Sequence, residues 1–354
     1  YSLVTTKIDE EIFKPLFPEG KKSGRPNASI RILVAMSVLK EGFGCSDEDL
    51  FEKCEFDLLT RKALGMELLT DVTPSIDTYY LFRRRICEYQ ERTGIDLMQL
   101  CFEQLAGKHV HLLKISGKCV RMDSKLIGSN IARQSRYELI HTTLVKFLKT
   151  CTLTHLSPEQ EERAKEYLKE DSSKTVYRSD SDTLQSNLAR IGNFIMEMLA
   201  VFPATSPAHD LLLRLFEEQY VVMDGKAVLR DKKEVKADSL QNPNDPDATY
   251  RAKNDQKVQG YVTNITETVE EGKPNIITSV QVETAVFADC HFLQEAVENS
   301  ERVTDSTIED LYADGAYQSP DNREFAKNHN AMQLKTGKMQ GGCRWELIPH
   351  DEDG

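Results

Sequence analysis

Asp123 ends a short stretch of sequence that has the pattern of a β-strand. Within Lys118–Asn130, the apolar residues Val120 and Met122 alternate with Arg121 and Asp123. Alternation with a period of two is typical of a strand with one buried face. A carboxylate at a strand end, followed by a serine and a lysine, is an arrangement that could bind a cation.

A second aspartate has the same setting far downstream. In Ile308–Tyr317, the apolar run Leu311–Ala313 leads to Asp314 and then to a glycine turn. Hard cations such as Mg²⁺ take oxygen ligands and are often bound by one or two carboxylates together with substrate phosphates. The pair predicts a divalent-metal site in an α/β domain, although either aspartate could equally start a turn.

Composition limits the classes of protein to consider. The 354 residues suffice for two or three domains, and 40% hydrophobic with 29% charged residues is typical of a soluble globular protein. The sequence has no apolar run of about 18 residues and no secretory signal, so we expect a cytoplasmic protein without a membrane partner. Eight cysteines without a C-x-x-C pair argue against structural zinc and favour reduced thiols. A net charge of −12 disfavours a protein that simply coats DNA, but it allows local basic faces.

The first 112 residues predict an all-helical domain. Helical spacing of apolar residues, capping residues and terminal glycines indicate helices. Two helices are predicted to begin at Ser29 and Ser46, and three more cover Leu58–Leu64, Asp77–Glu91 and Asp96–Leu105. The apolar positions of the fourth helix are occupied by Tyr79, Tyr80, Phe82 and Ile86.

Three consecutive arginines, Arg83, Arg84 and Arg85, lie in the predicted helix Asp77–Glu91. They span about 200° of the helix surface, so they cannot all face one partner. We expect at least one to contact a DNA phosphate. The remaining arginines would be solvated or paired with acidic side chains.

The remainder predicts an α+β or α/β fold in which a mixed sheet is interrupted by helices. Residues 113–150 contain the first strand and a helix, residues 151–238 predict a helical insertion, and residues 239–354 return to strands. In this last part, Leu240–Ala248 is predicted to be a loop, while Lys257–Thr266 and Asn275–Thr284 predict a hairpin. The loop aspartates Asp245 and Asp247 lack the glycine and glutamate spacing of a calcium loop.

This order of elements resembles the ribonuclease-H-like core of bacterial insertion-sequence transposases of the DDE class. Three segments carry the likeness: VRMDSKLIGSNIA (Val120–Ala132), NDPDATYRAKNDQKVQGYVTNI (Asn244–Ile265) and LYADGAYQSP (Leu311–Pro320). The helical block resembles the InsH-like N-terminal domain of these transposases, with TYYLFRRRI (Thr78–Ile86) in the place of a basic helix.

The resemblance implies that Asp123 and Asp314 are the first two acids of a catalytic triad. They would hold two Mg²⁺ or Mn²⁺ ions about 3.5–4 Å apart for phosphoryl transfer at a phosphodiester. The resemblance also implies that the protein binds double-stranded DNA at terminal inverted repeats and is associated with the nucleoid. A homodimer is a further expectation. Lys125, Arg133 and Arg136 are the nearest basic residues in sequence and are expected to contact backbone phosphate.

The likeness fails at the third acid, which in the family is a glutamate on a helix well past the last strand. Glu324 lies too soon after Asp314 for this role, and Glu346 precedes what looks like an insertion. With the sequence ending at Gly354, we expect the catalytic glutamate to be missing and the chain to be an incomplete or inactive form.

Two hypotheses compete with a DDE transposase. A non-catalytic DNA-binding protein derived from a transposase would keep the helical block and use both aspartates structurally. A helical scaffold without a role in nucleic-acid binding is favoured only by the acidic net charge.

Overall fold

The computed structural model describes residues 4–17, 28–203, 206–253 and 256–337. Glu346 and the predicted insertion around it lie outside these residues. Backbone contacts divide the chain into two units. Unit 1 comprises residues 1–123, 265–280 and 292–354, and unit 2 comprises residues 124–264 and 281–291.

Five helices form the N-terminal part of unit 1, as the sequence predicts. They are α1 (Ile30–Phe43), α2 (Asp47–Phe56), α3 (Leu58–Leu64), α4 (Ile76–Thr93) and α5 (Leu97–Leu113). Ser46 and Asp49 cap α2 reciprocally, an arrangement worth about 1 kcal/mol of stability. The buried side chains of Phe13, Met36 and Leu50 belong to the core that the helices share.

Two details of this block differ from the sequence predictions. Helix α5 continues to Leu113 rather than ending at Leu105, because Gly107 stays helical and the chain leaves the helix only where Lys114 adopts a left-handed conformation. Tyr80, predicted at an apolar position, is exposed on α4, and its hydroxyl donates to the Asp47 carboxylate at 3.0 Å.

Unit 1 also contains most of a mixed sheet. Its strands are β1 (Cys119–Gly128), β5 (Gln256–Thr268), β6 (Ile277–Thr284), β7 (Asp310–Asp314) and β8 (Gln333–Gly337), of which β1, β5 and β6 each continue into unit 2. The order is β5–β1–β7–β8, with β6 also paired to β5. β1 is parallel to β7, and β7 is parallel to β8. On its other side, β1 lies beside β5 of the predicted hairpin β5–β6.

Helices α11 (Leu293–Thr304) and α12 (Pro320–Asn328) complete unit 1. Helix α11 packs against α5 so closely that a Cβ at Gly107 would lie 3.0 Å from the Val303 carbonyl oxygen. Arg302 also donates to Glu103 at 2.9 Å. The helical block and the helix preceding β7 are therefore packed together within one unit.

Unit 2 is a helical layer joined to short strands. Its helices are α6 (Arg136–Leu148), α7 (Pro158–Lys169), α8 (Ser172–Arg178), α9 (Ser181–Val201) and α10 (Pro207–Gln219), and its remaining strands are β2 (Tyr220–Met223), β3 (Lys226–Leu229) and β4 (Thr249–Lys253). The core of the layer contains Leu144, Phe194, Ile195, Leu212 and Tyr220.

The predicted insertion at 151–238 is helical over most of its length but not throughout. Residues 220–229 form the antiparallel hairpin β2–β3, whose Asp224-Gly225 turn has positive φ angles at both positions. Helix α6, which precedes 151, shares the core of this layer, as does Leu240, which follows 238. The predicted domain limits 1–112, 113–150, 151–238 and 239–354 stay predictions.

No helix among the described residues is long and apolar enough to span a membrane. The seven cysteines in the described ranges form no disulfide, in agreement with the reduced thiols expected from the sequence.

Gly260 allows strand β5 to approach the end of β1 within unit 2. A Cβ at Gly260 would lie 2.2 Å from the Ile127 carbonyl oxygen and 2.6 Å from the Ser129 nitrogen, both backbone atoms that cannot rotate away. Ser129 N–H donates to the Gln259 carbonyl at 2.9 Å across the same approach. Any side chain at 260 would therefore separate the two strands.

We predict that Gly260→Ala lowers the free energy of unfolding by about 1–3 kcal/mol, the usual cost of overpacking. Urea denaturation would measure this change. Gly128→Ala is the matched control, because a Cβ there meets no heavy atom of the described residues within 4 Å. Equal stability of the two variants would contradict the close approach.

Candidate functional site

Strands β1 and β7, which carry the two predicted catalytic aspartates, are neighbours in the sheet. Their parallel register pairs Cys119 with Asp310, Val120 with Leu311 and Arg121 with Tyr312. The pairing ends at Arg121 and Tyr312, and its offset, continued for two residues, relates Asp123 to Asp314. Paired strands lie about 4.8 Å apart. Asp314 is the last residue of β7, as predicted, but the prediction that Asp123 ends its strand is wrong, because β1 continues to Gly128.

Both aspartates belong to the same face of the sheet. On β1, Val120 and Met122 are buried, whereas Arg121 and Asp123 are exposed. On β7, Leu311 and Ala313 are buried and Tyr312 is half-buried. Because side chains alternate between faces along a strand, Asp123 and Asp314 lie on the face of Arg121 and Tyr312.

Asp314 is positioned by the turn that follows it. Its Oδ1 accepts a hydrogen bond from Ala316 N–H at 2.8 Å, which caps the single helical turn Gly315–Tyr317. Tyr317 is fully buried, and its carbonyl accepts from the Asn322 side chain at 2.8 Å. Asp314 itself is only 7% exposed, so the turn fixes one carboxylate oxygen while the sheet sets the direction of the side chain.

The other charged side chains of this face form pairs among themselves. Arg121 Nε donates to Glu267 at 2.5 Å. Lys335 contacts Asp310 at 2.8 Å and the Tyr312 hydroxyl at 3.3 Å, and the bond to Asp310 raises the pKa of Lys335. Arg121 and Lys335, two basic residues of this face, are thus each paired with an acidic side chain.

The donor set of the site fits a hard divalent cation. Two carboxylates supply oxygen ligands, and Mg²⁺ commonly completes its shell with water and substrate phosphate. Among residues 4–17, 28–203, 206–253 and 256–337, no group of three or more Asp, Glu, His or Cys side chains could hold a metal ion. Burial raises the pKa of the Cys54 and Cys101 thiols to about 11, so neither supplies a thiolate at neutral pH.

The three arginines of α4 point in different directions and each has a contact within unit 1. Arg83 lies 3.8 Å from Asp47, and Arg84 lies 3.6 Å from Glu88. Arg85 lies over the ring of Phe17, 5.3 Å from its centroid. Exposed ion pairs of this kind are worth about 0–1 kcal/mol, so a DNA phosphate could displace them.

Of the three basic residues expected to contact phosphate near Asp123, Lys125 alone is exposed without a partner in the described part of unit 2. Arg133 donates to the Lys257 carbonyl at 2.9 Å. Arg136 is half-buried and donates to the Gln219 side chain at 2.7 Å, and burial lowers its pKa. Arg136 therefore joins α6 to the end of α10 within the helical layer. Its predicted contact with phosphate stays a prediction.

The motif around Asn244–Ile265 contains polar residues whose contacts the sequence did not reveal. Asp245 accepts hydrogen bonds from the Ser129 hydroxyl and from Tyr261, which fixes the loop beside the end of β1. Asp289 is 3% exposed at its side chain and pairs with Arg251 at 3.3 Å and Lys253 at 3.7 Å. The alternation of Arg251 and Lys253 could have suggested a strand with one basic face, whereas nothing in the sequence marks Asp289.

Comparison with known protein families gives one match. A family model described as a transposase domain (DUF772) matches residues 1–85, which cover α1 to α3 and α4 up to Arg85. No curated protein and no solved structure matches the chain. The match supports a transposase family for this chain.

Proposed function

We propose that this chain carries the core of a DDE-class transposase with a ribonuclease-H-like sheet, and that it acts on DNA phosphodiesters through Asp123 and Asp314. The observation that carries the proposal is the parallel pairing of β1 with β7, whose offset relates Asp123 to Asp314 on one face of the sheet. The transposase-domain match supports it from a separate part of the chain.

In this proposal Asp123 and Asp314 hold Mg²⁺ or Mn²⁺. When bound, such ions polarise the phosphate and stabilise charge on the attacking and leaving oxygens. The protein itself contributes placement. The cap from Ala316 N–H orients Asp314. A third acid is not assigned among the described residues.

The helical block would bind the double-stranded DNA of the element ends, in the cytoplasm at the nucleoid. Its support is the family match, which includes the arginine-bearing part of α4. Because Arg83, Arg84 and Arg85 face different directions, one or two of them would reach phosphate while the others keep their protein contacts. The predicted homodimer stays a prediction.

A non-catalytic DNA-binding protein is the second candidate. It is favoured by one observation: the described residues contain no group of three metal-ligating side chains. In that case the aspartates would serve only the fold, as Asp314 does in capping its turn.

Calorimetric titration with Mn²⁺ tests the proposed metal site. We expect the wild-type protein to bind Mn²⁺ and Asp123→Asn and Asp314→Asn each to weaken binding at least tenfold, because each removes one charged ligand. Asparagine at 314 can still accept the bond from Ala316 N–H, so that variant should fold normally.

Asp310→Asn is the matched control, because Asp310 lies on the same face of β7 but pairs with Lys335. It should bind Mn²⁺ as the wild type does. Absence of Mn²⁺ binding by the folded wild-type protein, or equal loss in all three variants, would contradict the metal site.

Salt-dependent binding to a short DNA duplex of mixed sequence tests the role of α4. We expect Arg83→Ala/Arg84→Ala/Arg85→Ala to reduce the slope of log K against log salt by about 0.9 for each DNA phosphate that the variant no longer neutralises. Lys165→Ala/Lys169→Ala/Lys174→Ala removes the same charge from exposed positions of unit 2 and should leave the slope nearly unchanged. Equal slopes for both triple variants would refute the assignment of α4.

A further inference from the structure

The hairpin formed by β4 and β5 in unit 2 has one basic face. Its antiparallel register pairs Arg251 with Val258, Ala252 with Lys257 and Lys253 with Gln256. Paired residues share a face and faces alternate along each strand. Arg251, Lys253 and Gln256 therefore lie on one face of the hairpin, and Lys257 lies on the other.

This face lines a cavity of about 240 Å³ in unit 2. Ser124 and Lys125, from the part of β1 directly after Asp123, line the same cavity. Hydroxyl, amide, ammonium and guanidinium donors thus surround one space. Lys125 and Gln256 are exposed and have no partner among the described residues.

Asp289 organises the basic side chains without neutralising them. Its carboxylate is almost fully buried and contacts Arg251 Nη1 at 3.3 Å and Lys253 Nζ at 3.7 Å. Arg251 Nη1 also donates to the carbonyls of Ala285 and Phe287, so every contact that Arg251 makes with described residues uses this one nitrogen. Nε and Nη2 keep their donors for a ligand. Among the described lining residues, three cations and one carboxylate give a net charge of about +2.

We propose that this cavity binds a backbone phosphate of a nucleic-acid strand, with Lys125, Arg251 and Lys253 as its cationic contacts. The assignment rests on the proposed function, since it places a phosphate of the DNA substrate beside the strand that bears Asp123. A planar guanidinium with two donors available and two flexible lysines suits the tetrahedral oxygens of a phosphate.

The size of the cavity favours a single phosphate over a whole nucleotide. Pockets for small molecules usually measure about 300–1,000 Å³, which is larger than this one. An acidic chain that binds DNA must concentrate positive charge locally, because the strength of phosphate binding comes from neutralising phosphate charge. This cavity does so with Lys125, Arg251 and Lys253.

Equilibrium binding to a short DNA duplex across a salt series tests the assignment with three variants. Lys125→Gln and Lys253→Gln each remove one proposed phosphate contact. Lys257→Gln removes the same charge from the opposite face of the same hairpin. Arg251 is left intact because its removal would leave buried Asp289 with one partner and could unfold the hairpin.

In Lys125→Gln and Lys253→Gln we expect the negative slope of log K against log salt to become shallower by about 0.9. The affinity for DNA should also be reduced about 5- to 10-fold at about 0.1 M salt. Lys257→Gln should match the wild type. If the wild type binds DNA and all three variants match it, the phosphate assignment is wrong while the proposed function stands.

Two other outcomes would also overturn the assignment. A wild-type protein that binds no DNA at low salt would remove both the phosphate site and the proposed function. A titration with inorganic phosphate gives the second outcome. If free phosphate raises the melting temperature of the wild type but not of Lys253→Gln, and the DNA slopes are equal, the cavity is a site for free anions.

Discussion

The parallel pairing of β1 with β7 determines where the two aspartates lie. Each strand alone carries one acid, and the parallel pairing of the two strands brings both acids to one face of the sheet. Like charges on neighbouring strands repel each other, and a divalent cation bound by both carboxylates would turn this repulsion into attraction.

The rest of unit 1 supports this register. Helix α11 precedes β7 and packs on α5, so the position of β7 depends on the helical block as well as on the sheet. The turn after β7 holds Asp314 through a backbone hydrogen bond and is closed by buried Tyr317. The N-terminal helices therefore have two roles, since they carry the transposase-domain match and also support the strand that bears Asp314.

Hydrophobic periodicity and capping residues predicted most of the elements, because these signals are local. Helix α3 has the predicted limits, and α2 begins after Ser46 as expected. The hairpin β2–β3 was missed because strands of four residues are too short to show a period. The contacts of Asp289 with Arg251 and of Asp245 with Ser129 join residues far apart in the chain, so no local pattern announces them. The site was therefore predictable as two aspartates, while the basic cavity required the tertiary structure.

The most direct measurement is a crystal structure of the protein soaked in Mn²⁺, with the metal located by anomalous scattering. We expect manganese bound by carboxylate oxygens of both Asp123 and Asp314, on the neighbouring strands β1 and β7. Carboxylates that lie far apart, with no manganese between them, would contradict the metal site and leave a DNA-binding protein without this chemistry.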